Sequence, residues 1–285
     1  MASAEIPTVS LNNGTTIPQL GFGVYQVPPD ETERAVLTAF EAGYRHIDTA
    51  QMYQNEAGVG RALRSSGLAR EDVYITTKLN NDSHEPAVAR AALEQSLREL
   101  DVEQVDLFLI HWPLPTRYGG DYVSTWRTLT ELAAEGKAAS VGVSNFHPEH
   151  LKRIVDETGI VPAINQIEVH PYLTNEEARL ASGRLDVAVE AWSPIAQGAV
   201  LDDPVLVELA EKYGKTPAQV TLRWHIERGD IIFPKSVTPE RVKENADIFD
   251  FSLTADEVNR ITGLDKGEEG RTGPNPDTFD WIPGA

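Results

Sequence analysis

Cysteine is absent from the 285 residues. That excludes a disulfide framework, a thiolate nucleophile and a zinc site built on sulfur. A chain without disulfides suits a reducing compartment, and the cytoplasm is the expected location. Basic residues are scarce: 25 Lys and Arg stand against 44 Asp and Glu, for a net charge of -19. Nucleic acids and anionic membrane surfaces call for a basic footprint, so neither is an expected partner. No apolar run reaches the roughly 20 residues that span a bilayer. The opening Met-Ala-Ser-Ala-Glu-Ile-Pro has neither the basic nor the apolar stretch of a secretory signal. Also missing is a Gly-x-Gly-x-x-Gly turn. Gly21 and Gly23 are correctly spaced, but Gln26 stands where the third glycine belongs. An open doubly wound sheet therefore lacks its fingerprint. With no low-complexity segment and no linker, residues 1–285 read as one domain, long enough to bury a large core unaided.

What is present is a regular alternation. Thr8 to Leu11 and Thr15 to Leu20 flank Asn12-Asn13-Gly14, a hairpin signal at the N-terminus. Eight apolar runs follow: Leu20–Gln26, Arg45–Ala50, Val73–Leu79, Val105–Trp112, Ala139–Asn145, Ala163–His170, Val187–Trp192 and Ile231–Ser236. Most are continuously hydrophobic, as expected of parallel strands covered on both faces. Between them lie helical patterns at Pro29–Glu41, Asn55–Ser66, Glu85–Leu100, Asp121–Ala134, Pro148–Glu157, Asn175–Ser182, Pro204–Tyr213, Pro217–Glu227 and Pro239–Ile248, several ending at glycine. Eight strands alternating with helices predict a single closed (β/α)8 TIM barrel. Asp265 to Ala285, rich in Gly, Pro and Asp, reads as an irregular C-terminal tail, although it carries Phe279 and Trp281.

In such a barrel, functional groups project from the C-terminal ends of the strands. Asp48, Lys78 and His111 stand at three successive ends. Burying either Asp48 or Lys78 alone would be costly, so each implies the other. Tyr53 lies in the loop after Asp48. A neighbouring ammonium would lower its phenol pKa and make it a better proton donor at neutral pH. Taken singly, Asp48 and Lys78 read as a structural ion pair, His111 as a satisfied core group and Tyr53 as a packing residue. Together they describe a proton-delivery site without a nucleophile. Gly142-Val143-Ser144-Asn145-Phe146 has no glycine after its serine and is not a nucleophile elbow. His147 and His150 lack the His-Glu-x-x-His form and an evident third ligand, so no metal is expected.

These residues also carry a resemblance. Gly43-Tyr44-Arg45-His46-Ile47-Asp48-Thr49-Ala50 with Tyr53 and Asn55-Glu56, Ile75-Thr76-Thr77-Lys78-Leu79, Leu109-Ile110-His111-Trp112-Pro113, Gly142 to Phe146, and Phe233-Pro234-Lys235-Ser236 with Arg241, Glu244 and Asn245 resemble the motifs of the aldo-keto reductase superfamily. They occur in order and with similar spacing from about Ile6 to the tail. The likeness is greatest to the bacterial 2,5-diketo-D-gluconate reductase-like branch. It implies NADPH-dependent reduction of aldehydes, α-dicarbonyls or keto-sugars by a monomer. Tyr53 would be the proton donor, tuned by Lys78 and Asp48, with His111 orienting the carbonyl. It further implies that Ser144, Asn145 and Gln166 hold the nicotinamide amide and that Trp192 stacks on the ring. The pyrophosphate would lie along Ser193, Ile195 and Gly198. The 2′-phosphate would be met by Lys235 and Arg241, with help from Ser236 and Val237. Guanidinium suits phosphate through its planar, permanently charged fork, although Arg241 would equally well pair with a glutamate of its own helix.

Phe22, Val24, Tyr25, Trp112, Phe146 and Trp281 are the expected pocket walls, and the short connection from Leu114 to Asp121 predicts an open mouth. Two other functions compete with the reductase. One is a catalytically weak NADP(H)-binding regulatory protein on the same fold, which would have little reason to keep all four of Asp48, Tyr53, Lys78 and His111. The other is an unrelated barrel hydrolase, which would not bind the nucleotide.

Overall fold

The computed structural model describes residues 6–284. The first five residues of the opening stretch and the last residue of the tail lie outside the described residues. A hairpin of β1 (Thr8–Ser10) and β2 (Thr16–Pro18) comes first, paired antiparallel through Val9 and Ile17. Its turn places Gly14 at φ +84°, in the left-handed region that glycine enters without steric cost. Eight strands follow: β3 (Phe22–Gly23), β4 (His46–Asp48), β5 (Tyr74–Leu79), β6 (Val105–Ile110), β7 (Ala138–Ser144), β8 (Ile164–Glu168), β9 (Ala188–Trp192) and β10 (Ile231–Ile232). Each falls on one of the eight apolar runs. They pair in chain order and all in parallel. A parallel bridge between Leu20 and Ile232, with Gly21 N donating to Ile232 O at 2.7 Å, closes the barrel.

The helices that cover the barrel are α1 (Thr32–Glu41), α2 (Glu56–Ser66), α3 (Pro86–Leu100), α4 (Tyr122–Ala134), α5 (Pro148–Thr158), α6 (Glu176–Arg184), α7 (Pro204–Tyr213), α8 (Pro217–Glu227), α9 (Pro239–Ala246) and α10 (Ala255–Thr262). Proline opens five of them (α3, α5, α7, α8 and α9), where its missing N–H is no loss and its fixed φ suits the first turn. The last helix was not anticipated from the sequence. It begins at a reciprocal capping box between Thr254 and Glu257, a signal that was there to be read.

Strand alternation divides the barrel into two cores. Outward-facing Ile47, Ile75, Phe108, Ile110, Val143, Ile167 and Ala191 join the helices in the larger one. Inward-facing Leu107, Leu109, Ile164 and Ile231 fill the lower barrel, and Leu11 and Ile17 of the hairpin seal it from beneath. The hairpin is held there by Asn12 Nδ2, which donates to Pro162 O at 2.9 Å and Asp186 O at 3.0 Å, and by Asn13 Nδ2 on Ser140 Oγ at 2.8 Å. Above this apolar plug the same inward positions turn polar, and the site begins.

Candidate active site

Asp48, at the end of β4, and Lys78, on β5, are both buried and point inward. Lys78 Nζ donates to Asp48 Oδ1 at 2.6 Å and to Thr49 O at 2.8 Å. Tyr53 ends a single 3-10 turn, Gln51–Tyr53. Asn55 pins that turn: its Nδ2 donates to Val24 O and Val27 O, and its Oδ1 accepts from Thr49 Oγ1. The Tyr53 ring consequently lies 5.2 Å from Lys78 Nζ and 5.8 Å from the His111 ring. Four residues separated by up to 63 positions therefore meet at one end of the barrel, as the strand-end argument requires.

The electrostatics differ from the sequence-based expectation in one respect. The Tyr53 phenol is held well above its ordinary pKa, first by burial, then by the charge of Asp48 and by Tyr25. The expected lowering by Lys78 is absent because the ammonium is already neutralised by the carboxylate at 2.6 Å. The phenol keeps its proton throughout the neutral range. His111 is held well below its ordinary value by burial and by Lys78, so its imidazole is neutral. Burial pushes the Asp48 carboxyl up, against the pull of Lys78 and Gln166. At 2.6 Å from the ammonium it nonetheless keeps its charge, since losing it would strand a buried cation.

A second chain of hydrogen bonds runs from this group around the barrel. Gln166, inward on β8, donates from Nε2 to Asp48 Oδ2 at 2.8 Å and to Glu190 Oε2 at 2.9 Å. Ser144 Oγ donates to Gln166 O at 2.8 Å. Asn145, held at φ +63°, donates from Nδ2 to His111 O and Ser144 Oγ. Trp192 Nε1 donates to Asn145 Oδ1 at 2.8 Å. The loop that follows β9 carries Ser193, Ala196 and Gln197 at positive φ, and Gly198 at +99°. Within this loop Ala196 N donates to Ser193 O and Gly198 N to Ile195 O, both at 2.8 Å, which fixes its two tight turns. Lys235, Val237 and Arg241 are exposed and Ser236 is half-buried, with Ser236 Oγ accepting from Thr238 N at 3.1 Å. Among the described residues neither Lys235 nor Arg241 makes an ion pair, so the pairing of Arg241 with a helix neighbour is not seen. Asn245 is buried, and Glu244 offers its backbone oxygen to Gln219.

The pocket walls need correction. Phe22, Val24 and Phe146 are 1 %, 0 % and 0 % exposed and belong to the outer core, with Phe22 edge-on to Tyr44 at 5.8 Å. Side chains without accessible surface cannot line an open mouth. Tyr25 does stand there, 54 % exposed and 5.0 Å from the Tyr53 ring. Trp112 packs against Phe279 at 4.3 Å, whereas Trp281 is half exposed and joins the barrel through its backbone oxygen, which accepts from Asn81. The connection from Leu114 to Asp121 is tied down: Tyr118 stacks on His84 and donates to Asn81 O, and Arg117 pairs with Asp280 of the tail.

Sequence reasoning missed Glu168 and Glu190, although a carboxylate inside an apolar strand run is itself a signal. Buried Glu168 accepts from Thr272 N and Oγ1 at 2.6 and 2.5 Å and from Gly273 N, and so anchors the tail. Gly273 lies so close over Trp192 that a Cβ there would sit 2.4 Å from the indole. His147 and His150 stack on each other and flank Asp277 of the tail at 2.8 and 3.5 Å. No group of three or more metal-ligating side chains occurs among the described residues.

The Aldo/keto reductase family model matches residues 14–266. The chain belongs to the aldo/keto reductase family. It is 49% identical over 276 residues to an aldo-keto reductase of Mycolicibacterium smegmatis, covering 97% of this chain and 99% of that protein. It is likewise 49% identical over 276 residues to the methylglyoxal reductase DkgA of Yersinia pestis, covering 96% and 97%. Among solved structures, a mutant of Gox0644 in complex with NADPH superposes with a TM-score of 0.92 at 43% identity, covering 96% and 99%.

Proposed function

We propose that this family member reduces small carbonyls, namely aldehydes, α-dicarbonyls or keto-sugars, with NADPH, and that Tyr53 is the proton donor. The observation that carries the reading is the convergence of Tyr53, Lys78, Asp48 and His111 around one point at the barrel end. The residues also fit the cofactor. Lys235 and Arg241 offer exposed charges without a partner among the described residues, and the loop from Ser193 to Gly198 would run beside the pyrophosphate. Ser144, Asn145 and Gln166 would hold the carboxamide beside Trp192. The solved relative with NADPH and the relative named for methylglyoxal reduction support the same cofactor and substrate class.

When bound, the reduced nicotinamide supplies the hydride. His111, neutral, offers an N–H to the carbonyl oxygen. Tyr53 retains its proton until negative charge develops on that oxygen and then donates it. Lys78, its charge balanced by Asp48, lies 5.2 Å from the Tyr53 ring and keeps that ring positioned beside His111. Asp48 holds Lys78 in place.

Tyr53→Phe tests this directly. It should lower NADPH oxidation with methylglyoxal by at least about a hundredfold, the usual scale of general acid catalysis. NADPH binding, read from tryptophan quenching, should change little. Near-normal turnover in the variant would overturn the mechanism. The same reading has the enzyme working as a monomer in the cytoplasm, to be checked by sedimentation and fractionation. No described helix is long and apolar enough to cross a membrane.

A further inference from the structure

Glu190 is a buried acid with no place in the proton relay above. It stands on β9 between Gln166 of β8 and Ile231 of β10, its register partners, and is 0 % exposed. Its Oε2 accepts from Gln166 Nε2 at 2.9 Å. Its Oε1 has no hydrogen-bond partner, and His46 Nε2, itself engaged with Thr76 Oγ1, lies 3.8 Å away. The same Gln166 nitrogen donates to Asp48 Oδ2. One amide nitrogen is thus gripped by two carboxyl groups, and Lys78, the one cation beside them among the described residues, bonds to Asp48 and Thr49 O but not to Glu190.

Two like charges cannot both persist in a closed layer with one counterion. The carboxyl farther from the ammonium keeps its proton. The titratable groups facing Glu190 are His46 and Asp48 from β4 and Tyr74 and Lys78 from β5. β8 and β10 face it with neutral Gln166 and Ile231. Burial holds His46 neutral, with its pKa lowered to about 3, and holds the Tyr74 phenol well above its ordinary value. Burial and the charge of Asp48 raise Glu190 to about 8, which makes it the group in this layer that changes charge just above neutrality.

We propose that Glu190 is a proton-carrying positioning residue. With Asp48 it fixes the Gln166 amide so that its oxygen is free to accept the N–H of the nicotinamide carboxamide. Its ionisation then sets a negative charge beneath the ring site, which favours the oxidised, cationic ring over the reduced, neutral one. This rests on the NADP(H) reading above. By reciprocity, binding of NADP+ drives a proton off Glu190, and binding of NADPH does not.

The test compares the two nucleotides, which share the 2′-phosphate and differ in the ring. Proton release on mixing is read with an indicator dye in weak buffer near about pH 7.5, where a group of this pKa is only partly ionised. Affinities are read from tryptophan quenching. The wild-type protein should release more protons with NADP+ than with NADPH. Its affinity ratio of NADP+ to NADPH should rise on the order of tenfold between about pH 6.5 and about pH 9.5, the effect of one nearby charge. Glu190→Gln still offers Gln166 an acceptor, so its nucleotide affinity below neutrality should stay within about threefold of wild type, while both pH effects vanish. Equal proton release with the two nucleotides in the wild type, or unchanged release in Glu190→Gln, would overturn the proposal. Should that variant not fold, the wild-type infrared carboxylic-acid band decides. It should fade with a midpoint near pH 8, and a spectrum without such a band overturns the proposal. Failure of both nucleotides to bind would sink the cofactor reading and this inference with it. Binding of both without a difference sinks this inference alone.

Discussion

Replacing Lys78 by Met keeps most of the side chain's length and removes its charge. The ammonium is fully buried and makes two short hydrogen bonds, to Asp48 Oδ1 at 2.6 Å and Thr49 O at 2.8 Å. Its loss leaves a carboxylate and a carbonyl oxygen without that donor inside the barrel, beside Glu190, a second acid. Breaking a buried ion pair from one side costs about 3–5 kcal/mol. Against a total stability of about 5–15 kcal/mol that is a large fraction. For a chain of 285 residues it lowers the melting temperature by roughly 5–8 °C. Asp48→Asn combined with Lys78→Met should regain part of the loss, at least about 1 kcal/mol, because an amide needs no counterion. The stranded carboxyl must take up a proton to stay buried, so the deficit of Lys78→Met grows as pH rises above the ordinary carboxylate range. Urea unfolding followed by tryptophan fluorescence and circular dichroism measures the wild type, Lys78→Met, Asp48→Asn and the double variant. A loss under about 1 kcal/mol in Lys78→Met, or strictly additive effects in the double variant, would refute the claim that this pair holds the barrel end together.

Three further outcomes are expected. Arg241→Ala should weaken NADPH binding by about tenfold or more, the scale of a charge-assisted hydrogen bond, and leave NADH untouched; equal losses for both would remove Arg241 from the phosphate site. Glu168→Ala should free the tail, because Thr272 and Gly273 lose their common acceptor. Amide exchange across residues 272–281 should accelerate while β5 and β6 stay protected, and uniform acceleration would show a general loss of stability instead. For Glu190→Gln the sign follows from its raised pKa of about 8. The folded protein holds a proton that the unfolded chain gives up, so wild-type stability falls as pH climbs from the ordinary glutamate range toward 8. The variant should therefore gain on wild type by up to about 1.4 kcal/mol per pH unit across that window, and a pH-independent gap in denaturant titrations would contradict the assignment.

Strand positions were legible because parallel strands covered on both faces are written as uninterrupted apolar runs, and the hairpin because Asn12-Asn13-Gly14 permits few other turns. Asp48, Lys78 and His111 could be placed at the barrel end for the same reason: a polar residue closing an apolar run has one place to go. Phe22, and Val24 one step past the end of β3, face outward, which only register decides. Gly23, not Phe22, shares its face with Asp48, as the pairing with β4 shows. The tail was read as irregular, and it is, apart from a 3-10 turn at Gly267–Gly270. Its attachment was invisible, because Glu168 and Thr272 lie 104 residues apart and nothing local couples them.

From the sequence alone came the order of elements, the closed barrel and the identity of the groups at its mouth, since periodicity and strand ends are local properties of the chain. Protonation states came only from the folded molecule. The Lys78 ammonium is spent on Asp48 and does not acidify Tyr53, and the layer that holds them leaves Glu190 to carry a proton. Such outcomes depend on how many charges share a volume shut off from water, a quantity that exists only once distant strands have been brought together.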